Sequence, residues 1–560
     1  NFGYYAYLQQ PMNATVLRFA YNLETSLQMV LESYPVLPIG LSLLALLGAY
    51  VWLMHRLLLR AVGYANPHFH GRRKAAVLTL GTLLVLGGIY GKFSWYPLRW
   101  SEAFSNAHRF APAVAMNPVL YFFNTLKNRN IRFDEDKTRA SYALMADYLG
   151  VDRPDERRLN YRRDITTPGS FAARRPNIVM VFLESFASYK TGAFGNPLNP
   201  TPNFDALARQ SLQYTRYYSP HTGTARSVFA AITGIPDVEL HKTASRNPLV
   251  VNQHTIVNAF KGYRKFYFLG GSANWGNIRG VLQHNIDDLE VHEEGDYDSP
   301  RIDVWGISDL DLFKEANKVL AQQRQPFFAI IQTSGNHRPY TIPEDNHGFK
   351  PEHHDAETLK RAGFLSEKEY NSFRFMDHSL GYFMRQAREA GYLNNTIFVF
   401  YGDHGITGYG GEHSPAFENP YILTGMHTPL IFYGPGFIKQ AQVDDKPASE
   451  VDLLPTIAGL AAPGYINTTL GRDLRDPRFA GQRYAFTITH HSIPEIGLIG
   501  ENFYFRMNED GSNKLLADTR SANPEKNVLD AHPEVARKME ALTTGIHETA
   551  RYMLYHNARQ

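Results

Sequence analysis

The sequence predicts an α/β protein whose sheet has helices on both faces, preceded by a transmembrane helical domain and a helical linker. Three observations predict it: two uncharged stretches near the start, short continuous apolar runs after residue 176, and helical patterns between those runs. Continuous apolar runs are typical of strands buried on both faces of a parallel sheet. Alternation of such strands with helices favours an α/β sheet that is covered on both sides.

Composition excludes some classes of protein and leaves others open. Over 560 residues, 57 Lys and Arg stand against 54 Asp and Glu, a balance that disfavours a nucleic-acid-binding protein. The absence of Cys excludes disulfides and thiolate metal sites without fixing the compartment. The sequence begins with Asn1 rather than Met, so we expect a leader or earlier segments to precede it.

The two uncharged stretches predict membrane spans. Residues 36–54 and 75–91 carry no charge, and Lys74 and Lys92 flank the second stretch. The first is long enough to cross a hydrocarbon core of roughly 30 Å, and the second reaches that length if its lysines extend to the interface. A buried core helix is the alternative for each stretch. The loop between them is basic and lacks acidic residues, which places it in the cytoplasm and the rest of the chain outside.

We therefore divide the chain into a transmembrane domain over residues 1–92, an amphipathic helical linker over 93–173 and an extracytoplasmic domain over 174–560. Aromatic residues at the start of the linker are typical of a membrane interface: Trp95, Tyr96 and Trp100. In the third domain the predicted strands are 177–183, 265–269, 327–332, 396–401 and 429–433, and the predicted helices are 203–214, 367–390, 450–460 and 534–555. A small C-terminal subdomain begins at about residue 482.

Polar residues follow the predicted strands where ligands bind in open α/β sheets. Glu184 ends the first strand, Asp403 and His404 follow the strand 396–401, and Thr224 starts a helix in the stretch HTGTARSVFA. Together they offer three oxygens and one nitrogen, a ligand set that suits Mn²⁺, Mg²⁺ or Zn²⁺. A metal-bound Thr224 hydroxyl would be a nucleophile at neutral pH. Each residue also has a structural alternative, since Thr224 or Glu184 can cap a helix and Asp-His can form a turn.

The motifs NIVMVFLES, TPNFDALA, TARSVFA, SGNHRPY and YGDHG occur in this order from residue 177 onward. Together they resemble the lipoteichoic acid synthase family, which belongs to the alkaline phosphatase and sulfatase superfamily. The resemblance implies an alkaline-phosphatase-like fold. It also implies that residues 1–92 are the last part of a multi-span bundle in a bacterial cytoplasmic membrane, with the catalytic domain on the extracytoplasmic or periplasmic side.

The resemblance further implies a function. Glu184, Thr224, Asp403 and His404 would hold one divalent metal, Mn²⁺ before Mg²⁺ or Zn²⁺, and Thr224 would be the nucleophile. The enzyme would take glycerol phosphate from phosphatidylglycerol through a covalent Thr224 intermediate. The acceptor would be a hydroxyl of a glycolipid, a polymer or a glucan, so the partners are lipids and the membrane rather than nucleic acid.

Four further residues are expected on the substrate side. The resemblance assigns His337 to phosphate binding or proton transfer, and Trp275 and Arg279 to the glycerol phosphate, although the spacing of the last two departs from the family pattern. His427 occupies a position where superfamily members keep a histidine. A surface arginine is the alternative for Arg279. Three other histidines are expected in solvent or loops: His241, His284 and His413.

Other functions remain as alternatives. A sulfatase is disfavoured because its nucleophile is a Cys or Ser in a Cys-x-Pro-x-Arg setting, where this chain has Thr224. Transfer of phosphoglycerol to periplasmic glucans, or of phosphoethanolamine, would use the same threonine and metal set. A non-catalytic lipid-sensing membrane protein belongs to a different class, and loss of the nucleophile or a ligand would be its signature.

Overall fold

The computed structural model describes residues 35–64, 71–105, 115–126, 133–240, 242–490 and 494–558. Two compact units divide the chain. The first comprises Asn1–Ala103 and Phe110–Asn130, and the second comprises Phe104–Arg109 and Ile131–Gln560. Both predicted spans belong to the first unit, and the predicted site residues belong to the second. His241 lies outside the described residues.

Most of the described residues of the first unit are helical. Its helices are α1 (Val36–Tyr64), α2 (Arg72–Tyr90) and α3 (Pro118–Leu126). Two stretches are long and apolar enough to cross a membrane: Val36–Arg60, with a mean hydropathy of 2.1, and Arg72–Tyr90, with 1.3. Their leucines, such as Leu44 and Leu84, are exposed rather than packed in a core. Exposed apolar helices of this length match a hydrocarbon environment.

A mixed sheet forms the centre of the second unit. Its strands are β2 (Asn177–Leu183), β3 (Leu212–Tyr218), β4 (Arg264–Leu269), β5 (Leu289–His292), β6 (Phe327–Gln332), β7 (Thr396–Gly402), β8 (His427–Tyr433), β9 (Gln442–Asp444) and β10 (Ala448–Ser449). In the described residues their order in the sheet is β10-β3-β8-β7-β2-β6-β4-β5, with β9 beside β3. Every residue of β2, β6 and β7 is buried, as their continuous apolar sequences predict. Strand β8 runs antiparallel to both of its neighbours, so the sheet is not purely parallel.

Helices surround this sheet and close its core. One large core cluster joins Val179 and Phe398 from the strands to Phe313 and Phe383 from two helices. The helices of this unit are α4 (Glu135–Ala140), α5 (Tyr142–Leu149), α6 (Pro202–Ala208), α7 (Thr224–Thr233), α8 (Ile278–Asn285), α9 (Asp309–Leu320), α10 (Ala356–Arg361), α11 (Glu367–Glu389), α12 (Leu453–Ala461) and α13 (Pro533–His556). The predicted α/β class is confirmed.

A second sheet follows the central one in sequence. It is antiparallel and consists of β12 (Ala485–Thr489), β13 (Glu495–Ile499), β14 (Phe503–Asn508) and β15 (Leu515–Asp518). The predicted subdomain boundary near residue 482 falls just before this sheet. The long helix α13 ends the described chain and matches the helix expected over 534–555.

Two sequence expectations differ from the structure. The predicted helix 203–214 ends at Ala208, and β3 starts at Leu212 because Tyr214, Tyr217 and Tyr218 are buried in the sheet rather than along a helix face. The second half of the predicted linker lies inside the globular unit. Its helices α4 and α5 bury Met145 against Gly545 of α13. Strand β1 (Arg163–Ile165) then pairs antiparallel with β11 (Tyr465–Asn467).

Candidate active site

Two neighbouring strands bring two carboxylates to the same edge of the central sheet. Strands β2 and β7 are parallel, and their register pairs Leu183 with Gly402. Glu184 and Asp403 directly follow these two residues, so both side chains start at adjacent carboxyl ends. This edge is the place where open α/β sheets bind ligands.

Helix α7 supplies the hydroxyl. Its first residue is Thr224, and the preceding Gly223 has a φ of 142°, a backbone conformation that favours glycine. Thr224 Oγ1 donates a hydrogen bond of 3.0 Å to Glu184 Oε2 and lies 3.2 Å from His404 Nε2. The candidate ligand atoms of Glu184, Asp403 and His404 all lie within 4.8 Å of one another. The structure therefore brings all four predicted residues to one point.

Backbone groups fix the orientation of these side chains. The amides of Ser185 and His404 donate to Asp403 Oδ1 at 2.9 and 2.8 Å. Ser185 Oγ donates to Glu184 Oε1 at 2.7 Å, and His404 Nδ1 lies 2.8 Å from the carbonyl oxygen of Gly405. This contact leaves the other ring nitrogen of His404 directed toward Thr224. The cluster is thus organised by the chain around it before any ligand is bound.

The two carboxylates differ in their affinity for protons. Burial raises the pKa of Glu184, but the hydrogen bond and charge of His337 outweigh it and hold this pKa at about 2. Burial and the negative charge of Glu184 raise the pKa of Asp403 to about 6. Burial lowers the pKa of His404, yet the charges of Asp403 and Glu184 reverse this effect and raise it. Packing negative charge so densely in a buried place favours a cation as partner.

A family model described as Sulfatase matches residues 176–464, which include all four of these residues. The chain belongs to the sulfatase family. Curated relatives include the lipoteichoic acid synthase of Staphylococcus saprophyticus, 27% identical over 332 residues, and lipoteichoic acid synthase 1 of Bacillus subtilis, 25% identical over 326. Each match covers 54% of this chain and 48% of the relative, so the chain spans about half the length of these proteins.

Solved structures of the sulfatase and alkaline phosphatase type share the fold. A protein in the alkaline phosphatase superfamily from Vibrio parahaemolyticus is 24% identical with a TM-score of 0.62, covering 77% of this chain and 98% of that one. The lipoteichoic acid synthase LtaP from Listeria monocytogenes is 17% identical with a TM-score of 0.55, covering 75% and 99%. The fold of the second unit is therefore alkaline-phosphatase-like.

The residues of this sulfatase-family site fit a divalent metal. Asp403 Oδ2 is buried and has no hydrogen-bond partner among the described residues, although Oδ1 of the same carboxylate has two. A buried acceptor without a partner is costly, and a cation would satisfy it. Two carboxylates, an imidazole and a hydroxyl are hard or borderline ligands that suit Mn²⁺, Mg²⁺ or Zn²⁺.

His337 lies beside the candidate metal ligands. Its Nε2 is 3.2 Å from Glu184 Oε1, and its side chain is 32% exposed, so a substrate can reach it. Burial lowers the pKa of His337, but its hydrogen bond to Glu184 outweighs this and raises it. Its ring stacks on Trp305 with a centroid distance of 4.1 Å, and Trp305 in turn meets Trp275 edge to face at 5.9 Å. Trp275 therefore contacts a second indole that itself contacts His337.

The structure gives Arg279 and His427 protein partners. Arg279 forms an ion pair with Glu293 and donates to Asn274 Oδ1 at 3.1 Å. His427 is buried, with Nδ1 2.8 Å from Glu418 Oε1 and Nε2 2.8 Å from the carbonyl oxygen of Thr215. These contacts give both side chains a structural role, and a substrate role for either stays a prediction.

The remaining histidines and one glutamate complete the comparison with the sequence. His413 lies in a loop with its Nε2 near the carbonyl oxygen of Tyr189, and His284 is half-buried in the last turn of α8. Sequence reasoning missed Glu450, whose carboxylate accepts hydrogen bonds from Ser219, at 3.1 Å, and from Ser227 in α7. Glu450 thereby connects two residues that flank Thr224 in the sequence. Glu450 precedes an apolar helix, and no motif around it predicts these hydrogen bonds.

Proposed function

We propose that this chain is a membrane-anchored, metal-dependent phosphoglycerol transferase of the lipoteichoic acid synthase type. One observation carries the proposal: a threonine hydroxyl at the start of a helix lies 3.0 Å from Glu184 and 3.2 Å from His404 in a buried cluster with Asp403. The similarity to lipoteichoic acid synthases supports the choice of phosphatidylglycerol as donor. The two apolar helices support a location in the bacterial cytoplasmic membrane, with the catalytic domain outside.

Thr224 Oγ, having lost its proton to solvent, would attack the phosphorus of the lipid headgroup. The phosphorus–oxygen bond to diacylglycerol breaks, and the departing oxygen takes up a proton. An acceptor hydroxyl then attacks the glycerophospho-Thr224 group, which frees the Thr224 hydroxyl. A divalent cation held by Glu184, Thr224, Asp403 and His404, Mn²⁺ before Mg²⁺ or Zn²⁺, would lower the hydroxyl pKa and neutralise phosphate charge.

Two further parts of the chain support the same chemistry. The positive end of the α7 dipole favours negative charge at its first residue, where a phosphate bound to Thr224 would lie. His337 is partly exposed beside Glu184 and can donate a hydrogen bond to a phosphate oxygen or a proton to the leaving oxygen. A non-catalytic lipid sensor is disfavoured because nothing in such a role would keep the nucleophile and three ligands together.

The test uses the full-length protein in vesicles that contain phosphatidylglycerol labelled in its headgroup glycerol. We expect release of diacylglycerol and transfer of label in the presence of Mn²⁺, with the labelled product showing whether a glycolipid, a polymer or a glucan accepts it. Thr224→Ala should lower both by at least about 10³-fold, because it removes the nucleophile. Thr222→Ala changes an exposed threonine two residues earlier and should leave both unchanged.

Two outcomes would contradict the proposal. Wild-type diacylglycerol release by Thr224→Ala would remove Thr224 from the reaction. Turnover of phosphatidylethanolamine but not phosphatidylglycerol in parallel vesicles would reassign the enzyme as a phosphoethanolamine transferase. Unchanged unfolding temperature in Thr224→Ala is the check that the variant is folded.

A further inference from the structure

A short segment of the chain packs against the loop that carries His337. We name residues 303–309 the clamp segment and residues 334–338 the histidine loop. The clamp segment ends at the first residue of α9, and the histidine loop follows β6. None of the sequence motifs includes the clamp segment, so its contacts come from the tertiary structure alone.

Trp305 makes the central contacts of the clamp segment. Its indole stacks on the His337 ring at 4.1 Å with an interplanar angle of 15°. Its Nε1–H donates a hydrogen bond of 2.8 Å to the carbonyl oxygen of Arg338. One side chain therefore covers a face of the imidazole and ties down the backbone of the next residue.

Other contacts hold the same two segments together. Ser334 Oγ lies 3.4 Å from the carbonyl oxygen of Trp305, to which it donates. Asp309 Oδ1 accepts hydrogen bonds from the amides of Ser334 and Gly335 at 2.9 and 3.1 Å. The carboxylate of Asp309 is buried, so water does not compete strongly for these amides.

The clamp segment is itself fixed to the central sheet. The amide of Ile307 donates to the carbonyl oxygen of Gly270, directly after β4, at 3.1 Å. Gly306 has a φ of 106°, and a Cβ there would fall 1.9 Å from the same Gly270 oxygen. Only glycine permits this close approach of the two backbones. The approach fixes the backbone next to Trp305 relative to the end of β4.

We propose that Trp305 is a positioning residue for His337, holding its ring in the orientation that places Nε2 beside Glu184. His337 is partly exposed, and a ring of this kind would otherwise sample several rotamers. If the His337 ring is already fixed before substrate binds, no rotamer freedom has to be lost during the reaction. A displacement of a reacting group by about 1 Å can lower the rate about 100-fold. The inference rests on the proposed function, because it gives His337 a task in phosphate transfer.

The kinetic test is a double-mutant cycle on the full-length protein in phosphatidylglycerol vesicles. Trp305→Ala should lower kcat/KM by about 10- to 100-fold, and Trp305→Phe, which keeps a stacking ring, should restore it to within about threefold of wild type. Combining Trp305→Ala with His337→Ala should cost no more than His337→Ala alone, because the indole acts through the imidazole. Val304→Ala is the matched control, since that neighbouring side chain is 67% exposed.

Additive losses in the cycle would overturn the proposal, since they would show that Trp305 contributes independently of His337. A kcat/KM of Trp305→Ala equal to that of wild type would also overturn it. Hydrogen–deuterium exchange separates this inference from the proposed function, since it needs no substrate. We expect faster exchange over residues 333–340 in Trp305→Ala but not in Val304→Ala, and unchanged exchange would contradict the clamp even if the transferase assignment failed.

Discussion

His337 and His427 are both histidines for which the sequence predicts a substrate role, but their surroundings in the structure differ. Both were expected on the substrate side, and both belong to segments at the ligand-binding edge of the sheet. The His337 side chain is 32% exposed, and Nε2 faces Glu184. The His427 side chain is 7% exposed, and both of its nitrogens contact protein oxygens, one from Glu418 and one from Thr215.

The difference shows what distinguishes a functional group from a structural one at the same edge. Around His427 protein groups occupy both ring nitrogens and one ring face: Glu418 Oε1, which contacts Nδ1, also accepts a hydrogen bond from the Tyr218 hydroxyl, and the Tyr218 ring stacks on the imidazole at 4.8 Å. Around His337 the cluster still has unused bonding capacity, most clearly at Asp403 Oδ2. One such oxygen does not separate the two places, since Glu418 Oε2 is also buried without a hydrogen-bond partner among the described residues. What sets the His337 surroundings apart is the convergence of three candidate metal ligands beside a partly exposed ring.

Removal of metal should have the largest effect of the changes that test this contrast. Chelation should abolish lipid turnover, and Mn²⁺ should restore it, because the unsatisfied oxygen of Asp403 and its neighbours need a cation. Asp403→Asn should weaken Mn²⁺ affinity by at least about 100-fold in direct binding measurements. Glu418→Gln, which alters a buried carboxylate beside His427, should leave that affinity unchanged. Full activity in protein shown to be metal-free would contradict the site.

Replacing the two histidines should separate activity from stability. His337→Ala should lower kcat/KM by about 100-fold or more while leaving the unfolding temperature near that of wild type. His427→Ala should destabilise the folded state by about 2–4 kcal/mol, because it removes the imidazole that contacts the buried Glu418 carboxylate and leaves the Tyr218 hydroxyl as its donor, and should spare kcat in the folded fraction. Turnover assays and thermal unfolding of the same preparations measure both effects. The reverse pattern would exchange the roles assigned to these two residues.

Sequence reasoning succeeded where the signal is local. The apolar runs at Asn177–Leu183 and Phe327–Gln332 were predicted with the bounds that the structure gives. The convergence of Glu184 with Asp403 followed from placing both after parallel strands, since parallel neighbours end at one edge. Residues 212–214 were predicted in a helix because aromatic residues fit either a helix face or a strand, and only pairing with β8 decides between them.

The other features arise from contacts between distant parts of the chain. Glu450 bonds to Ser227, which is 223 residues away, and Trp305 stacks on a histidine in a loop beyond the next helix and strand. Neither residue belongs to a motif, and neither has a spacing that predicts its partner. The satisfied state of His427 likewise depends on Glu418 and Thr215, whose placement comes from the packing of β3 against β8.

The smallest effect concerns Asp377, a buried carboxylate with the opposite character to Asp403 because both of its oxygens are hydrogen-bonded. It accepts from the amide of Phe204 at 2.7 Å and from the amide and side chain of Asn203 at 3.0 and 2.9 Å. Burial outweighs these bonds and raises the pKa of Asp377 from 3.8 to about 7. A folded-state pKa above the unfolded value means that its contribution to stability is full below pH 4 and is lost as the pH rises through 7.

Asp377→Asn removes this titration while keeping one carbonyl oxygen as acceptor. Between pH 5 and 8 the stability of the variant relative to wild type should therefore rise by about 2 kcal/mol, seen as an unfolding temperature that falls less than that of wild type. Asp355→Asn is the control: this exposed residue has a lowered pKa, so it does not titrate between pH 5 and 8 and its difference from wild type should stay constant. If the stability difference between Asp377→Asn and wild type also stayed constant from pH 5 to 8, the hydrogen bonds of Asp377, and not its burial, would determine its charge in the folded protein.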